Sequence, residues 1–530
     1  MEMRAFLSDD VAQLKHQLLS AQALLKEQAD ELQLHREDRK RHQRELHHKD
    51  LKIATLEERL RLLIHQRFGT SAERVDLNYP LFDEAEARVT APEPGIPDTL
   101  TVPAHARAKR GRRALPAELP RVEVIHDLPD DQKRCPHDGT ELACIGEDTS
   151  EQLDIVPATI QVLKHIRKKY ACPCCEQHVV TAALPAQPIP RSLASPGTLA
   201  FVAVSKYADG LPLYRQQVIF ERLGQALPRA TLANWMIQCG ELIQPVINLL
   251  QDQLLTQPVI HLDETRVQVL NEAGKPAQSN SYMWVRAAGP PDRSIVLFDY
   301  DPSRSQQAPP RLLPDYRGVI MVDGYEGYTQ VCHTQALTRL GCWAHARRRF
   351  VEAQRAAGKH KSAKADYAVK LIGKLYQLEK TLAGVNADER HRQRQQHARP
   401  VVDKLHAWLE QTRPQVPPQT ALGKALHYLH HQWPRLIGYL EDGRYPIDNN
   451  RAENAIRPFA IGRKNWLFSN SVAGVKASAN LYSLIETAKA NGVEPYQYLR
   501  HVFTELPKVT TVEDIEQLLP WNTQSRQGCG

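Results

Sequence analysis

The feature that most constrains the fold is a change of pattern after Pro258, where helical periodicity gives way to short apolar, β-branched runs. The first three runs are separated by turn-rich joints, a pattern that predicts an antiparallel meander of three strands. Helical and strand-like segments then alternate, which predicts further strands of the same sheet with helices packed on it. The segments are strands at 259–270, 282–288, 294–300, 319–323 and 337–343, and helices at 303–313 and 344–357.

Two aspartates occupy special positions in that order. Asp263 lies in the middle of the first strand, and Asp323 ends the fourth. The order β-β-β-α-β-α-β-α is the layout of a ribonuclease H-like nucleotidyl-transferase core, in which these two positions meet at one edge of the sheet. Carboxylates placed side by side repel each other unless a cation lies between them. Because Mg²⁺ prefers carboxylate oxygens, the pair predicts a magnesium site.

A third acid is expected from a helix that folds back on the sheet, and Glu453 in segment 448–458 is the best candidate. Asn449 or Asn450 can cap this helix, and Arg457 follows Glu453 by one turn on the same face. An exposed acid paired with Arg457 is the alternative interpretation of Glu453. The cations that would face a polyanionic backbone here are Arg457, Arg463 and Lys464.

The choice of acids depends on the strand register. A slip of one residue turns every side chain of a strand to the opposite face of the sheet. The acids that would then replace members of the triad are Glu264, Asp299 and Asp301.

The N-terminal segment carries a seven-residue repeat of apolar positions without Pro or Gly, which predicts a coiled coil over residues 1–67 and therefore self-association. The middle of the repeat is defective, because Arg39 falls on the main seam. An amphipathic helix packed on its own protein is the alternative. The seam positions are Val11, Leu18, Leu25, Leu32, Leu46, Ile53 and Leu60.

Residues 68–120 form a Pro-punctuated linker that ends in a basic segment at 105–113. Cationic side chains around a Gly in extended chain suit a narrow minor groove of DNA, and Arg110, Arg112 and Arg113 are the predicted contacts. A solvated basic linker without a bound partner is equally compatible with this composition.

Residues 121–190 contain two turns with metal-ligand spacing, each preceded by a short β-like run, at 122–125 and 160–162. The spacing predicts a zinc-ribbon-like module, with one knuckle at Cys135 and Asp138 and the other at Cys172 and Cys175. Asp138 stands where a second thiolate is expected, so a knuckle that folds without metal is the alternative. His137, Cys144 and Cys174 are substitute ligands.

Residues 191–255 are helical in pattern. A helix at 213–223, a turn at 224–228 and a second helix from Arg229 resemble a helix-turn-helix, in which Thr231 lies in the first turn of the second helix. An ordinary helical hairpin gives the same pattern.

Segment 341–350 places Cys342 and His345 at x2 spacing, but two ligands do not make a metal site. We interpret Cys342 as a core residue at a strand end. His345 and Arg348 are interpreted as polar residues near the catalytic edge that contact DNA.

Composition limits the class of protein. A chain of 530 residues exceeds the size of a single core, so several domains are expected. The excess of 68 Lys and Arg over 61 Asp and Glu gives a net charge of +7, a weak indication of an anionic partner. Nine cysteines are too few for a disulfide scaffold. No apolar run is long enough to cross a bilayer and no signal peptide is evident, so a cytoplasmic protein, in the bacterial cytosol or nucleoid, is expected.

Six motifs, in this order, make the chain similar to the large transposase of the insertion sequence 66 family of DDE transposases. The resemblance implies that Asp263, Asp323 and Glu453 bind metal. It also implies a zinc-finger-like segment at Cys135, Cys172 and Cys175, from which this chain departs at Asp138. The motifs are RFGTSAER (67–74), KYADGLPLYRQ (206–216), LDET (262–265), VDGYEGY (322–328), GCWAHARRRF (341–350) and DNNRAENAIRPFAIGRKNWLF (448–468).

The resulting expectation is a multidomain α+β protein with a ribonuclease H-like DDE core at 256–360 and 446–505, a helical insertion at 361–445 and a tail at 506–530. It would bind the terminal inverted repeats of an insertion sequence and target DNA. Strand cleavage and strand transfer would use two Mg²⁺ or Mn²⁺ ions, with Asp263 bridging them. A structural Zn²⁺ and small accessory proteins of the element are further expected partners. The alternatives are a transposase-derived repressor and a nuclease that cuts without joining.

Overall fold

The structure is a computed structural model that describes residues 11–68, 121–123, 152, 159–171, 179–357 and 363–527. Several predicted site residues lie outside these ranges and stay predictions. They are the minor-groove candidates Arg110, Arg112 and Arg113, the zinc candidates Cys135, Asp138, Cys172 and Cys175, and the substitutes His137, Cys144 and Cys174.

The N-terminal helix α1 extends over Val11–Phe68. With a rise of 1.5 Å per residue it is about 87 Å long. Leu18, Leu25, Leu32 and Leu46 on its seam expose between 58% and 65% of their surface. The predicted helix is therefore confirmed, and these described seam positions remain in solvent within a single chain. No helix in the described part of the chain combines the length and apolar character needed to span a membrane.

The described residues divide into two compact units, one with α1 and everything from residue 184 onward, the other with a two-stranded hairpin. The hairpin pairs β1 (Lys169–Ala171) with β2 (Val179–Thr181) in antiparallel register. The strand predicted at 160–162 is wrong, and so is the described part of the one predicted at 122–125. Val122 and Val162 expose 86% and 90% of their surface, so β-branched composition without a packing surface is not enough to form a strand.

Four helices lie between the hairpin and the main sheet. The Ser195 hydroxyl caps the first of them by accepting the Thr198 N–H (3.2 Å), and Gly224 makes the predicted turn in the left-handed region, with φ +89°. The predicted helix-turn-helix segments are confirmed as helices, and Thr231 lies partly buried in the first turn of the third helix. The helices are α2 (Pro196–Tyr207), α3 (Leu213–Arg222), α4 (Arg229–Leu242) and α5 (Gln244–Leu255).

The main sheet has the strand order β5-β4-β3-β6-β7. Strand β3 is central, antiparallel to β4 and parallel to β6, and a short strand, β8, extends it in parallel. The predicted succession of strands and helices is confirmed. The strands are β3 (Val259–Asn271), β4 (Asn280–Ala288), β5 (Ile295–Asp301), β6 (Val319–Val322), β7 (Thr338–Gly341) and β8 (Ser469–Ser471), and the intervening helices are α6 (Ala308–Leu312), α7 (Thr329–Thr334) and α8 (Trp343–Ala357).

The remaining helices lie between α8 and the C-terminus. The helices at 363–381, 399–412 and 421–437 pack with α8 around a hydrophobic core of their own, which agrees with the helical segment expected before residue 446. The helices are α9 (Ala363–Thr381), α10 (Ala387–Gln393), α11 (Arg399–Thr412), α12 (Ala421–Ile437), α13 (Asn450–Trp466), α14 (Val472–Ala490), α15 (Pro495–Glu505), α16 (Val512–Glu516) and α17 (Pro520–Gln527).

Helix α14 covers the edge of the sheet. The hydroxyls of Thr487 and Ser483 accept the N–H groups of Val296 (3.1 Å) and Phe298 (2.7 Å) on β5. An exposed strand edge would leave such groups free to pair with another chain. The helix therefore closes the outer edge of β5 with side-chain hydrogen bonds.

Helix α13 is attached to β3 by the buried side chain of Asn449. Its amide N–H donates to the Leu262 carbonyl (2.7 Å), and its Oδ1 accepts the ring N–H of His261 (3.1 Å). Asn449 occupies the expected N-cap position, but its side chain makes no capping hydrogen bond because it is bound to β3 instead. Asp448 accepts the Asn450 N–H at the helix start (3.1 Å).

We predict that Asn449→Ala lowers the free energy of unfolding by about 2–3 kcal/mol, because it leaves the buried Leu262 carbonyl and the His261 ring without partners. Urea unfolding measures the difference. Asn454→Ala, at an exposed position of the same helix, is the matched control. An equal loss in both variants would contradict the assignment.

Candidate active site

Asp263 lies on β3, opposite Val285 of β4. Its Oδ1 accepts the backbone N–H of Glu264 (2.9 Å). Burial raises the pKa of this carboxyl well above its usual value, and the negative charges of Glu264, Glu453 and Asp323 raise it further. Asp263 is therefore the point at which negative charge from β3, the end of β6 and α13 accumulates.

Asp323 directly follows β6. Because β3 and β6 pair in parallel with His261 opposite Met321, continuing the register by two residues brings Asp323 beside Asp263. Oδ1 of Asp323 accepts the Tyr325 N–H (2.9 Å), and its carbonyl accepts a hydrogen bond from Arg339 (3.0 Å). A side chain at Gly324 would place its Cβ 2.8 Å from the Tyr428 ring of α12, so the turn after Asp323 requires a glycine.

Glu453 lies in the first turn of α13 and is 4% exposed. Arg348 of α8 donates to its Oε2 (3.1 Å), and Nδ1 of His345 lies 3.4 Å from its Oε1. The alternative of an exposed acid is therefore wrong, because Glu453 is buried and contacts two residues of a different helix. Oε1 is buried and has no hydrogen-bond partner within the described part of the chain.

The three predicted acids approach each other without forming a single tight cluster. In the described ranges, the one group of three ligand atoms that lie within 4.8 Å of one another comprises Cys342, His345 and Glu453. The ligand oxygens of Asp263, Asp323 and Glu453 therefore do not all lie within 4.8 Å of one another. In a two-ion site, the outer two acids bind different ions and need not touch each other.

The rival acids are each neutralised by an arginine. Asp299 accepts a hydrogen bond from Arg286 (2.9 Å), Asp301 pairs with Arg311, and Glu264 pairs with Arg304. Within the described residues, neither Asp263 nor Asp323 forms an ion pair with Lys or Arg. The strand register thus leaves the uncompensated negative charge on the two acids that the sequence pattern selected.

A buried network beside Asp263 was missed by sequence reasoning. Glu264 accepts hydrogen bonds from Arg304 (2.7 Å) and from the Tyr328 hydroxyl (2.7 Å), and the Arg304 guanidinium lies 3.9 Å from the centre of the Tyr325 ring. These contacts join β3 to the loop that carries Asp323. The only sequence signal was the tyrosine pair in VDGYEGY, which carries no indication of its partners.

The predicted DNA-contacting cations of α13 have different surroundings. Arg463 is half-buried and donates to the Thr265 hydroxyl (3.1 Å) and to the Arg266 carbonyl, so it holds α13 against β3. Lys464 is exposed. Arg457 lines a cavity of about 460 Å³ together with Asp209, Asn454, Asn465 and Lys489.

Cys342 is fully buried at the end of β7, in a small core with Val319, Met321 and Leu340, as the sequence interpretation expected. Burial raises the pKa of its thiol far above the usual value. Its sulfur accepts the Asn449 N–H (3.3 Å). His345, one turn further along, exposes 25% of its side chain. The arrangement therefore joins the end of β7 to the start of α13.

Comparison with known proteins gives four family matches. The models described as "Transposase IS66 family" and "IS66 C-terminal element" match residues 191–477 and 483–521. Those described as "zinc-finger binding domain of transposase IS66" and "Transposase C of IS166 homeodomain" match residues 132–176 and 55–124.

Similar proteins come from Sinorhizobium fredii (strain NBRC 101917 / NGR234), each named as uncharacterized. Protein y4jD is 34% identical over 79% of this chain and 83% of its own length. Protein y4qI is 32% identical over 89% of each chain. Protein y4hP is 28% identical over 89% of this chain and 88% of its own length.

We predict that Asp263→Asn stabilises the protein in magnesium-free buffer by about 1 kcal/mol or more, since it removes a carboxylate that its neighbours repel. Because the pKa of Asp263 is raised on folding, the wild-type protein becomes less stable as the pH rises from about 4, the pKa of an unfolded aspartate, through the higher pKa of the folded state. Asn at this position removes that part of the pH dependence.

Urea unfolding at several pH values measures both effects. The exposed Asp292→Asn is the control and should change the free energy of unfolding by less than about 0.5 kcal/mol. A destabilised Asp263→Asn protein would show that the charges around this carboxyl do not repel it.

Proposed function

Because the chain belongs to the IS66 family of transposases, we propose that residues 256–360 and 446–505 form a ribonuclease H-like core that cleaves DNA at the ends of an insertion sequence and joins those ends to target DNA. The observation that carries the proposal is the negative charge gathered around Asp263 from β3, the end of β6 and α13. The family match supplies the reaction class, and the strand order supplies a matching scaffold.

The donor set fits hard divalent cations. Asp263 and Asp323 offer oxygens without a compensating arginine or lysine in the described part of the chain, and Glu453 offers a buried oxygen without a hydrogen-bond partner there. Asp263 would contribute to both of two Mg²⁺ or Mn²⁺ ions, with Asp323 and Glu453 each completing one. When bound, the ions supply activation of the attacking hydroxyl and stabilisation of the leaving oxygen.

The residues of the chain fix the acids before DNA arrives. The N–H groups of Glu264 and Tyr325 orient the carboxylates of Asp263 and Asp323. Arg348 orients Glu453 and is 38% exposed, so it can also face a phosphate. Holding the ligands in place in this way reduces the rearrangement that is needed during the reaction.

Several segments, from the N-terminal half of the chain to α13, would hold the DNA. We assign this role to the basic linker at 68–120, the zinc-ribbon-like module at 121–190, Thr231 in the helical domain at 191–255, and His345, Arg457 and Lys464 on α8 and α13. Helix α1 would pair protomers so that two element ends lie together. The protein would act on DNA in the cytosol, with small accessory proteins of the element.

We predict that Asp323→Asn abolishes Mg²⁺-dependent cleavage of DNA that carries the element's ends, because it removes one metal ligand without changing the DNA-binding modules. Denaturing gels measure cleavage and strand transfer, and mobility shifts measure end binding. Asp292→Asn, at an exposed position of the same core, is the matched control. Cleavage retained by Asp323→Asn would refute the role of this residue.

The same assay separates the proposal from its alternatives. Joining of element ends to a second DNA by the unaltered protein supports a transposase. Hydrolysis without joining would identify a nuclease. Tight end binding without any cutting would identify a repressor that has kept the fold.

We predict that Leu25→Glu combined with Leu32→Glu reduces self-association, because both exposed leucines lie on the apolar seam of α1. Sedimentation velocity measures the mass of the species in solution. Ala23→Glu with Gln33→Glu adds the same charge off the seam and should leave the mass unchanged. An unchanged mass for the seam variant would rule out pairing through α1.

A further inference from the structure

A sulfur, a ring nitrogen and a carboxylate oxygen converge beside the acids that were assigned to magnesium. Cys342, His345 and Glu453 each offer one ligand atom, and these atoms lie within 4.8 Å of one another. The three residues come from the end of β7, the first turn of α8 and the first turn of α13. The tertiary structure thus adds a third ligand to the Cys-x2-His pair, which alone was too small to form a site.

Two atoms of this cluster are buried without a hydrogen-bond partner in the described residues, namely Nδ1 of His345 and Oε1 of Glu453. They lie 3.4 Å apart and face each other. A buried polar atom without a partner costs about 1–3 kcal/mol. An ion held between them would satisfy both atoms at once.

The sulfur of Cys342 is oriented by the backbone. It accepts the N–H of Asn449 (3.3 Å), and the backbone of His345 also hydrogen-bonds to it. Such contacts from outside a metal site fix the direction of a ligand and stabilise its charged form. Asn449 is itself held by β3, so the sulfur has a rigid support.

We propose that Cys342, His345 and Glu453 bind one divalent cation of the zinc class, with a fourth position open to water or a phosphate oxygen. Thiolate, imidazole and carboxylate together are typical zinc ligands, whereas Mg²⁺ selects oxygen alone. In a tetrahedral zinc site the sulfur and nitrogen ligands are about 3.6 Å apart. Because the ligand atoms lie within 4.8 Å of one another, they reach this spacing by contracting about 1 Å at most, and the Cys342 thiol releases its proton on binding.

The site shares Glu453 with the proposed catalytic centre. An ion bound to Cys342 and His345 would also use the Glu453 carboxylate, which would then be less available to an ion held by Asp263. This consequence rests on the proposed function: zinc-class ions would compete with Mg²⁺ for Glu453 and inhibit cleavage. The binding site itself does not depend on that function.

The test uses Co²⁺ as a spectroscopic substitute for zinc in the full-length protein. Thiolate-bound Co²⁺ absorbs in the near ultraviolet, and added Zn²⁺ displaces it. Because the segment at 132–176 can also bind metal, the reference protein carries Cys172→Ser and Cys175→Ser. We expect one thiolate-bound Co²⁺ per chain in this reference protein.

Two further changes in the reference protein identify the ligands. Cys342→Ser should remove the thiolate band, and His345→Gln should keep it but weaken Co²⁺ affinity by about tenfold or more. Cys332→Ser, at a partly buried cysteine outside the cluster, is the matched control and should leave the band and the affinity unchanged. Circular dichroism checks that each variant is folded.

The outcomes are decisive in both directions. Absence of the band in the reference protein, or its persistence in Cys342→Ser, overturns the proposal. An affinity that His345→Gln does not change also overturns it. A protein that binds Co²⁺ as expected but never cleaves DNA would retain this metal site and refute the proposed transposase activity, so the two failures are distinguishable.

Discussion

The arrangement of the candidate site depends on the buried amide of Asn449. Its hydrogen bonds to Leu262 and His261 attach the start of α13 to the strand that carries Asp263, across 187 and 188 residues of sequence. Burial lowers the pKa of His261 to about 3, so the ring is neutral and donates one hydrogen bond. A neutral connection brings Glu453 towards Asp263 without introducing a cation that would cancel the charge of the acids.

Some acids of the sheet pair with an arginine and others do not, and this difference determines where negative charge remains. Glu264, Asp299 and Asp301 each have an arginine, and these pairs connect β3 to the loop after β5, β5 to β4, and β5 to α6. Asp263 and Asp323 receive backbone N–H groups instead. Such bonds orient a carboxylate but leave most of its charge available. Repulsion is thereby concentrated where a bound cation would relieve it.

Glu453 lies at the boundary between two ligand sets of different chemistry. Towards β3 and β6 the neighbouring ligands are carboxylates, and towards α8 they are Cys342 and His345. Hard cations prefer the first set and borderline cations the second. One buried glutamate thus belongs both to the proposed magnesium site and to the proposed zinc-class site.

The sequence by itself determined the long N-terminal helix, the order of strands and helices after Pro258, and the positions of Asp263 and Asp323 on the strands. These features follow from local periodicity, which a sequence shows directly. Only the tertiary structure decided which side chains contact each other in the site, because contacts such as that of Arg348 with Glu453 join residues 105 positions apart. It turned the Arg463 side chain inward onto β3, and it directed the Asn449 side chain to β3 instead of to the first N–H groups of α13. It also left residues 160–162 unpaired, since strand formation requires a neighbouring strand that composition cannot supply.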